Sequence, residues 1–290
     1  MIRNKKRQIV IISAAVLLLF VLYLFGLDAK NFSEPKENEI VIYFLDTEQS
    51  DAILIEGPDG TVLIDSGDID KGDDVVSFIR SKNIDKLNAF IVTHPHIDHI
   101  GGAKEVLENF KVDTVYMPDI PDELYLDTVY YNETLELLKA NDISFKSAKN
   151  GISFSVGGMN FDILSPMGEY SAVNDYSAVV KLKFKTSSFL FCGDIEEGAE
   201  KLLLESTTDL SADLIKNPHH GAASDLNESF LLRVKPRYAV ITVGNNNYGH
   251  PSYKTLEELN SVGAEVYRTD TCGTIAVFCD GTNFKIETEN

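Results

Sequence analysis

The chain has 290 residues, 44% of them hydrophobic, enough to bury one large core or two modest ones, which excludes intrinsic disorder. Lysine and arginine number 26 against 45 acids, a net charge of −19, and a body that acidic repels polyphosphates and argues against an extended nucleic-acid-binding surface. Three cysteines without a CxxC pair exclude a disulfide scaffold and a cysteine-based zinc module.

Arg3, Lys5, Lys6 and Arg7 precede residues 9–27, IVIISAAVLLLFVLYLFGL, which carry no charge. A helix of that length spans roughly 28 Å, close to the hydrocarbon thickness of a bilayer. The basic flank predicts that residues 1–8 form a cytoplasmic tail and that the chain beyond the anchor lies outside. A cleaved signal peptide is the rival reading. Its apolar region is usually shorter, about 7–15 residues, and ends in small residues, whereas this one runs out through Tyr23, Leu24 and Phe25. Residues 28–38 read as a polar stalk, and 39–290 as one domain.

Within that domain, apolar runs at 40–45, 52–56, 61–64, 89–93 and 114–117 read as strands, with helical stretches at 73–82 and 103–110 between them. Gly157-Gly158 signals a hairpin between 153–156 and 160–164, and 178–184 with 188–192 reads as a second antiparallel pair. Helices at 196–204, 225–234 and 253–262 then alternate with strands at 212–216, 239–243 and 265–268, and a hairpin at 274–279 and 283–288 closes the chain. Hairpins mixed with strand–helix units predict an α/β sandwich, two packed sheets with helices outside.

All six histidines fall in three short motifs that follow predicted strands: His94, His96 and His99 in THPHIDHIGG, His219 and His220 in NPHHG, and His250 in YGHPS. Strand ends are where α/β folds place ligand-binding groups. His94, His96, Asp98 and His99 pack four potential metal ligands into six residues. Residues 94 and 96 can point to one ion while 98 and 99, opening a helix, point to a neighbour; imidazole and carboxylate suit zinc, and also iron and manganese. Asp194, in FLFCGDIEEG, stands where a strand turns through Gly193, and a carboxylate there can bridge two cations. Asp65, in LIDSG, is equally readable as the partner of a ligand histidine or as a turn residue.

HxHxDHxGG, then a strand-end GD, then HHG and GHP, resembles the metallo-β-lactamase superfamily, and more closely the hydrolase domain of ComEC-type competence proteins and related phosphodiesterases. The stretch around Gln49 departs from the glycine-glutamine-glycine-aspartate usual there: Glu48, Ser50 and Asp51 surround it, so both glycines are replaced. The resemblance implies a four-layer αββα sandwich holding two divalent metal ions, zinc ahead of manganese. His94 and His96 would hold one ion with a histidine from the pair His219-His220; Asp98, His99 and His250 would hold the other, and Asp194 would bridge both. Two cations lower the pKa of a water between them and neutralise charge developing on a phosphoryl or carbonyl oxygen. Lys216 and Tyr248, beside the ligand motifs, are candidates for charge stabilisation or leaving-group protonation. The expected function is an extracytoplasmic, membrane-anchored phosphodiesterase acting on small or polymeric diesters. The alternatives are a hydrolase of esters, lactones or β-lactams and a non-catalytic metal-binding surface protein.

Overall fold

Residues Ile40–Phe44 are apolar at every position and buried at every position, the pattern of a strand covered on both faces. The computed structural model, which describes residues 32–124, 129–223 and 228–290, explains why: this strand lies inside a sheet whose faces are both covered. The chain runs β1 (Ile40–Phe44), β2 (Ile53–Gly57), β3 (Gly60–Ile64), α1 (Gly72–Ser81), β4 (Ala89–Ile91), α2 (Ala103–Asn109), β5 (Thr114–Met117), α3 (Val129–Ala140) and β6 (Ser144–Ser147). It continues through β7 (Ile152–Val156), β8 (Met159–Ser165), β9 (Val179–Phe184), β10 (Ser187–Phe191), α4 (Glu197–Glu205), β11 (Leu214–Lys216), α5 (Glu228–Val234), β12 (Tyr238–Ile241), α6 (Tyr253–Ser261), β13 (Glu265–Arg268), β14 (Ile275–Cys279) and β15 (Phe284–Thr288).

Of the two large sheets, one has the order β15-β14-β1-β2-β3-β4-β5-β6 and the other β13-β12-β11-β10-β9-β8-β7, and a small third sheet pairs Lys86–Leu87 with Lys111–Val112. Each large sheet is antiparallel over one part and parallel over the rest, the change falling at β3 in the first and β10 in the second. The large sheets meet face to face through aromatic rings. Phe154 stacks between Tyr116 and Phe161 at centroid distances of 4.4 and 4.9 Å, and Phe44 meets Phe191 at 6.2 Å. Each fully buried phenylalanine contributes about 2–3 kcal/mol of transfer free energy, so this layer is a large part of the stability. The outer faces carry the helices. On α1, Phe78 packs edge-on against Tyr43 of β1 at 5.2 Å, while α4, α5 and α6 bury Leu203, Phe230, Leu231 and Leu259 against the second sheet.

The predicted strands and helices thus appear within a few residues of their expected limits, and the α/β sandwich is the observed architecture. Two of the elements named above, α3 and β6, carry no sequence pattern that predicts them. In α3 the buried positions are Tyr131, Thr134 and Leu138, a thin stripe in which one member is polar, and β6 is an exposed edge strand without an apolar run. The predicted anchor, residues 9–27, lies outside the described residues, as does part of the helix predicted at 225–234. Among the described residues no helix is long and apolar enough to cross a membrane.

Candidate metal centre

Parallel strands end on one side of their sheet, and the histidine motifs leave from those ends. After β4, the Thr93 amide and hydroxyl both donate to Asp65, at 2.7 Å each, which fixes the start of the loop. The single turn Ile97–Ile100 follows, and its His99 carbonyl accepts from the Ser66 amide at 2.8 Å, tying it to the segment after β3. His94 and His99 are fully buried, with ring centroids 4.1 Å apart, and His94 Nε2 lies 3.0 Å from His96 Nδ1.

From the second sheet, Asp194 follows β10 through Gly193. The glycine has φ +54°, and a Cβ there would stand 2.8 Å from the Ser177 Cβ, so the turn requires the missing side chain. Asp194 is 2% exposed, and its amide donates to Ser177 Oγ at 3.0 Å. After β11, His219 and His220 both adopt left-handed backbone angles, φ 47° and 50°, which costs a non-glycine residue on the order of 1–3 kcal/mol each. Two consecutive strained residues at a strand end turn both rings toward Asp194.

Asp98, His99, Asp194 and His220 each present one donor atom within 4.8 Å of the others. His99 Nε2 stands 3.3 Å from Asp194 Oδ2 and 3.9 Å from Asp98 Oδ2; His220 Nε2 stands 3.3 Å from Asp98 Oδ2 and 3.7 Å from Asp194 Oδ2. His99 Nε2 and Asp194 Oδ1 are buried and have no hydrogen-bond partner among the described residues. Burying such atoms unpartnered is costly, and carboxylate oxygens converging on imidazole nitrogens in a dry site call for positive charge. The electrostatics agree. Burial would lower the pKa of His99, but Asp194, Asp65 and Asp98 outweigh it and raise it well above the usual imidazole value. Burial also tends to raise Asp194, but His99, His220 and Lys216 hold it well below the usual carboxylate range. Burial, reinforced by His99, keeps His94 well below its ordinary value and therefore neutral, the form that ligates a metal. The donor set fits one divalent cation among Asp98, His99, Asp194 and His220.

The remaining candidates divide. His94 and His96 lie side by side, and His219 is close enough for its charge to oppose that of His96, with Nε2 4.0 Å from Asp194 Oδ2 and Nδ1 3.7 Å from Glu196 Oε1. Of the two adjacent histidines, His220 therefore stands in the four-donor group and His219 at its mouth. His250 is not in that group: its ring lies 5.6 Å from that of His219, and Nδ1 is 3.4 Å from Gln49 Nε2. Tyr248 is 77% exposed, at the rim. Lys216 is fully buried, an internal cation beside the donor group. Its ammonium pairs with Asp51, donates to the Gly193 carbonyl at 3.3 Å and lies 3.8 Å from Asp194 Oδ1.

Asp51 is the residue that sequence reasoning missed. It is 1% exposed, accepts from Thr242 Oγ1, pairs with Lys216 and lies 3.7 Å from His99 Nδ1. The signal was present in the segment 48–51, which drew attention for its replaced glycines and not for the aspartate that follows them. Asp65 pairs with a histidine of the four-donor group, its Oδ2 accepting from His99 Nδ1 at 2.9 Å.

The family model of the metallo-beta-lactamase superfamily matches residues 45–244. ComE operon protein 3 of Bacillus subtilis is 28% identical over 251 residues, 80% of this chain and 32% of that protein. Competence protein ComA of Neisseria gonorrhoeae is 23% identical over 260 residues, 88% of this chain and 34% of that protein. The chain thus spans about a third of the length of these curated relatives. Among solved structures, the metallo-beta-lactamase fold protein YhfI from Bacillus subtilis matches 81% of this chain and 98% of its own, with a TM-score of 0.50 at 13% identity, a likeness of fold. The chain belongs to the metallo-beta-lactamase superfamily and, within it, resembles the ComEC-type competence proteins.

Proposed function

We propose that this chain is a binuclear metal-dependent hydrolase of phosphodiesters, anchored in the cell membrane by residues 9–27 with its catalytic domain facing outward. The observation that carries the hydrolase reading is the buried donor group of Asp98, His99, Asp194 and His220 with its two unpartnered atoms. Those four residues would hold one divalent ion, and His94, His96 and His219 would hold a second that shares Asp194. Bound there, zinc or manganese supplies Lewis acidity and an ionised water at neutral pH. The protein's own residues do the rest. Asp65 accepts a hydrogen bond from Nδ1–H of His99 and so leaves Nε2 to the ion; the Thr242 carbonyl accepts from Nδ1–H of His220 at 2.8 Å, with the same effect. Lys216, held by Asp51, keeps Asp194 ionised from behind.

The phosphodiester reading is supported by the likeness to competence proteins and by a site able to offset a substrate's negative charge. The net charge of −19 favours small or teichoic-acid-like diesters over long nucleic acid. Zinc-loaded protein should turn over bis(p-nitrophenyl) phosphate and leave nitrocefin intact. Turnover of nitrocefin alone would move the assignment to carboxylic substrates, and turnover of neither would leave a metal-binding surface protein. Full-length protein should sediment with membranes and be cut by protease added from outside; a shortened, freely secreted form would mean that residues 9–27 are a cleaved signal.

A further inference from the structure

We propose that His250 is a hydrogen-bond donor, through Nε2, to an anionic oxygen of the substrate, not a metal ligand, and that Gln49 fixes it in that role. One side-chain amide has a fixed orientation. The Gly244 backbone N–H is a donor and nothing else, and it donates to Gln49 Oε1 at 3.3 Å. That sets the flip of the Gln49 side chain, so its NH2 group faces His250 Nδ1 at 3.4 Å. An NH2 group only donates. Nδ1 of His250 must therefore carry the lone pair, and in the neutral ring the proton sits on Nε2.

The ligand histidines are built the opposite way. His99 Nδ1 faces a carboxylate, Asp65 Oδ2 at 2.9 Å, and His220 Nδ1 faces the Thr242 carbonyl at 2.8 Å. Both partners only accept, so both rings hold their proton on Nδ1 and offer Nε2 as a lone pair to an ion. His250 cannot offer Nε2 to a cation without taking a proton onto Nδ1, where Gln49 has no acceptor for it. Position agrees with tautomer: the half-buried His250 ring lies between His219 and the exposed Tyr248, at 5.6 Å from each, one ring farther out than the donor group.

The local scaffold holds this arrangement. Asn246 Oδ1 accepts from the amides of Tyr248 and His250 at 3.0 and 3.1 Å, and its Nδ2 donates to the carbonyls of Gly244 and His250 at 2.8 and 2.9 Å. A Cβ at Gly244 would lie 2.5 Å from the Glu48 carbonyl carbon, so only glycine lets the two backbones come close enough for the amide to reach Gln49. A donor preorganised at the mouth of a dicationic site suits a phosphoryl oxygen, the substrate class of the function proposed above, on which that part of the inference rests.

The test uses zinc-loaded full-length protein, with ring-nitrogen NMR, elemental analysis and kinetics. Ring correlations should report His250 as the Nε2–H tautomer, with H250N identifying the signal, and Q49E, which offers an acceptor to Nδ1, should switch it to Nδ1–H. H250A should keep the wild-type metal content yet lose on the order of 10²-fold in kcat/KM on bis(p-nitrophenyl) phosphate, the scale of losing one preorganised donor. H250Q, which retains a donor amide, should recover part of that loss, and Q49E should lose activity with its metal intact. If the wild type hydrolyses no phosphodiester, the proposed function fails by itself; the tautomer, the metal content and calorimetric binding of inorganic phosphate, weaker in H250A, still decide the role of His250. An Nδ1–H tautomer in the wild type, a metal equivalent lost in H250A, or unchanged phosphate binding in H250A would overturn the proposal.

Discussion

The two sheets place an aspartate at corresponding points and use it differently. Asp65 follows β3 and Asp194 follows β10, each the strand where its sheet turns from antiparallel to parallel pairing, and each is followed by a histidine motif after the next strand. Asp65 spends its oxygens on protein: the Thr93 amide, the Thr93 hydroxyl and His99 Nδ1, all within 2.9 Å. Asp194 keeps Oδ1 without a hydrogen-bond partner among the described residues and turns Oδ2 toward His99 and His220. Burial is equal, so depth does not separate the roles. Satisfied oxygens fix a carboxylate in the scaffold, and an unsatisfied one leaves it a candidate donor to a cation.

The sharpest break of that comparison is Asp194→Ala. It removes the carboxylate shared by both proposed ions, so elemental analysis should find metal strongly depleted and turnover of bis(p-nitrophenyl) phosphate should nearly vanish; a normally loaded, active variant would refute the two-metal reading. Lys216→Met comes next, and acts on stability. It strands Asp51 as an unpaired charge in the interior, at a cost of about 3–5 kcal/mol, read as a lower denaturation midpoint, and adding Asp51→Leu to it should restore much of the loss. Asp65→Ala should be milder at the centre, on the order of ten- to a hundredfold in metal affinity, because it frees the orientation of His99 without removing a ligand. Parity of Asp65→Ala with Asp194→Ala in a chelator titration would erase the distinction between the two aspartates. Smallest is Asp209→Ala, far from the site. Metal content and turnover should stay at wild type, while stability falls by up to about 1 kcal/mol, because Asp209, itself 64% exposed, holds the buried Lys181 ammonium at 2.7 Å.

What the sequence determined by itself was local. His94, His96, Asp98 and His99 sit within six residues after a strand, so spacing alone brings them together, and the apolar runs marked nearly every strand because burial on two faces leaves little choice of residue. The elements it left out, α3 and β6, are those whose buried face is thin or absent. Long-range pairing was decided only by the tertiary structure. Asp51 and Lys216 are separated by 165 positions and meet because β11 delivers the lysine to the end where the β1–β2 connection delivers the aspartate. A strand-end lysine reads as solvated from sequence, since nothing in its neighbours announces an internal carboxylate. The same holds for His250. Its motif matches those of the other histidines in residue type and placement, and what separates it is a side-chain amide 201 positions away that faces its Nδ1, which no pattern of neighbouring residues encodes.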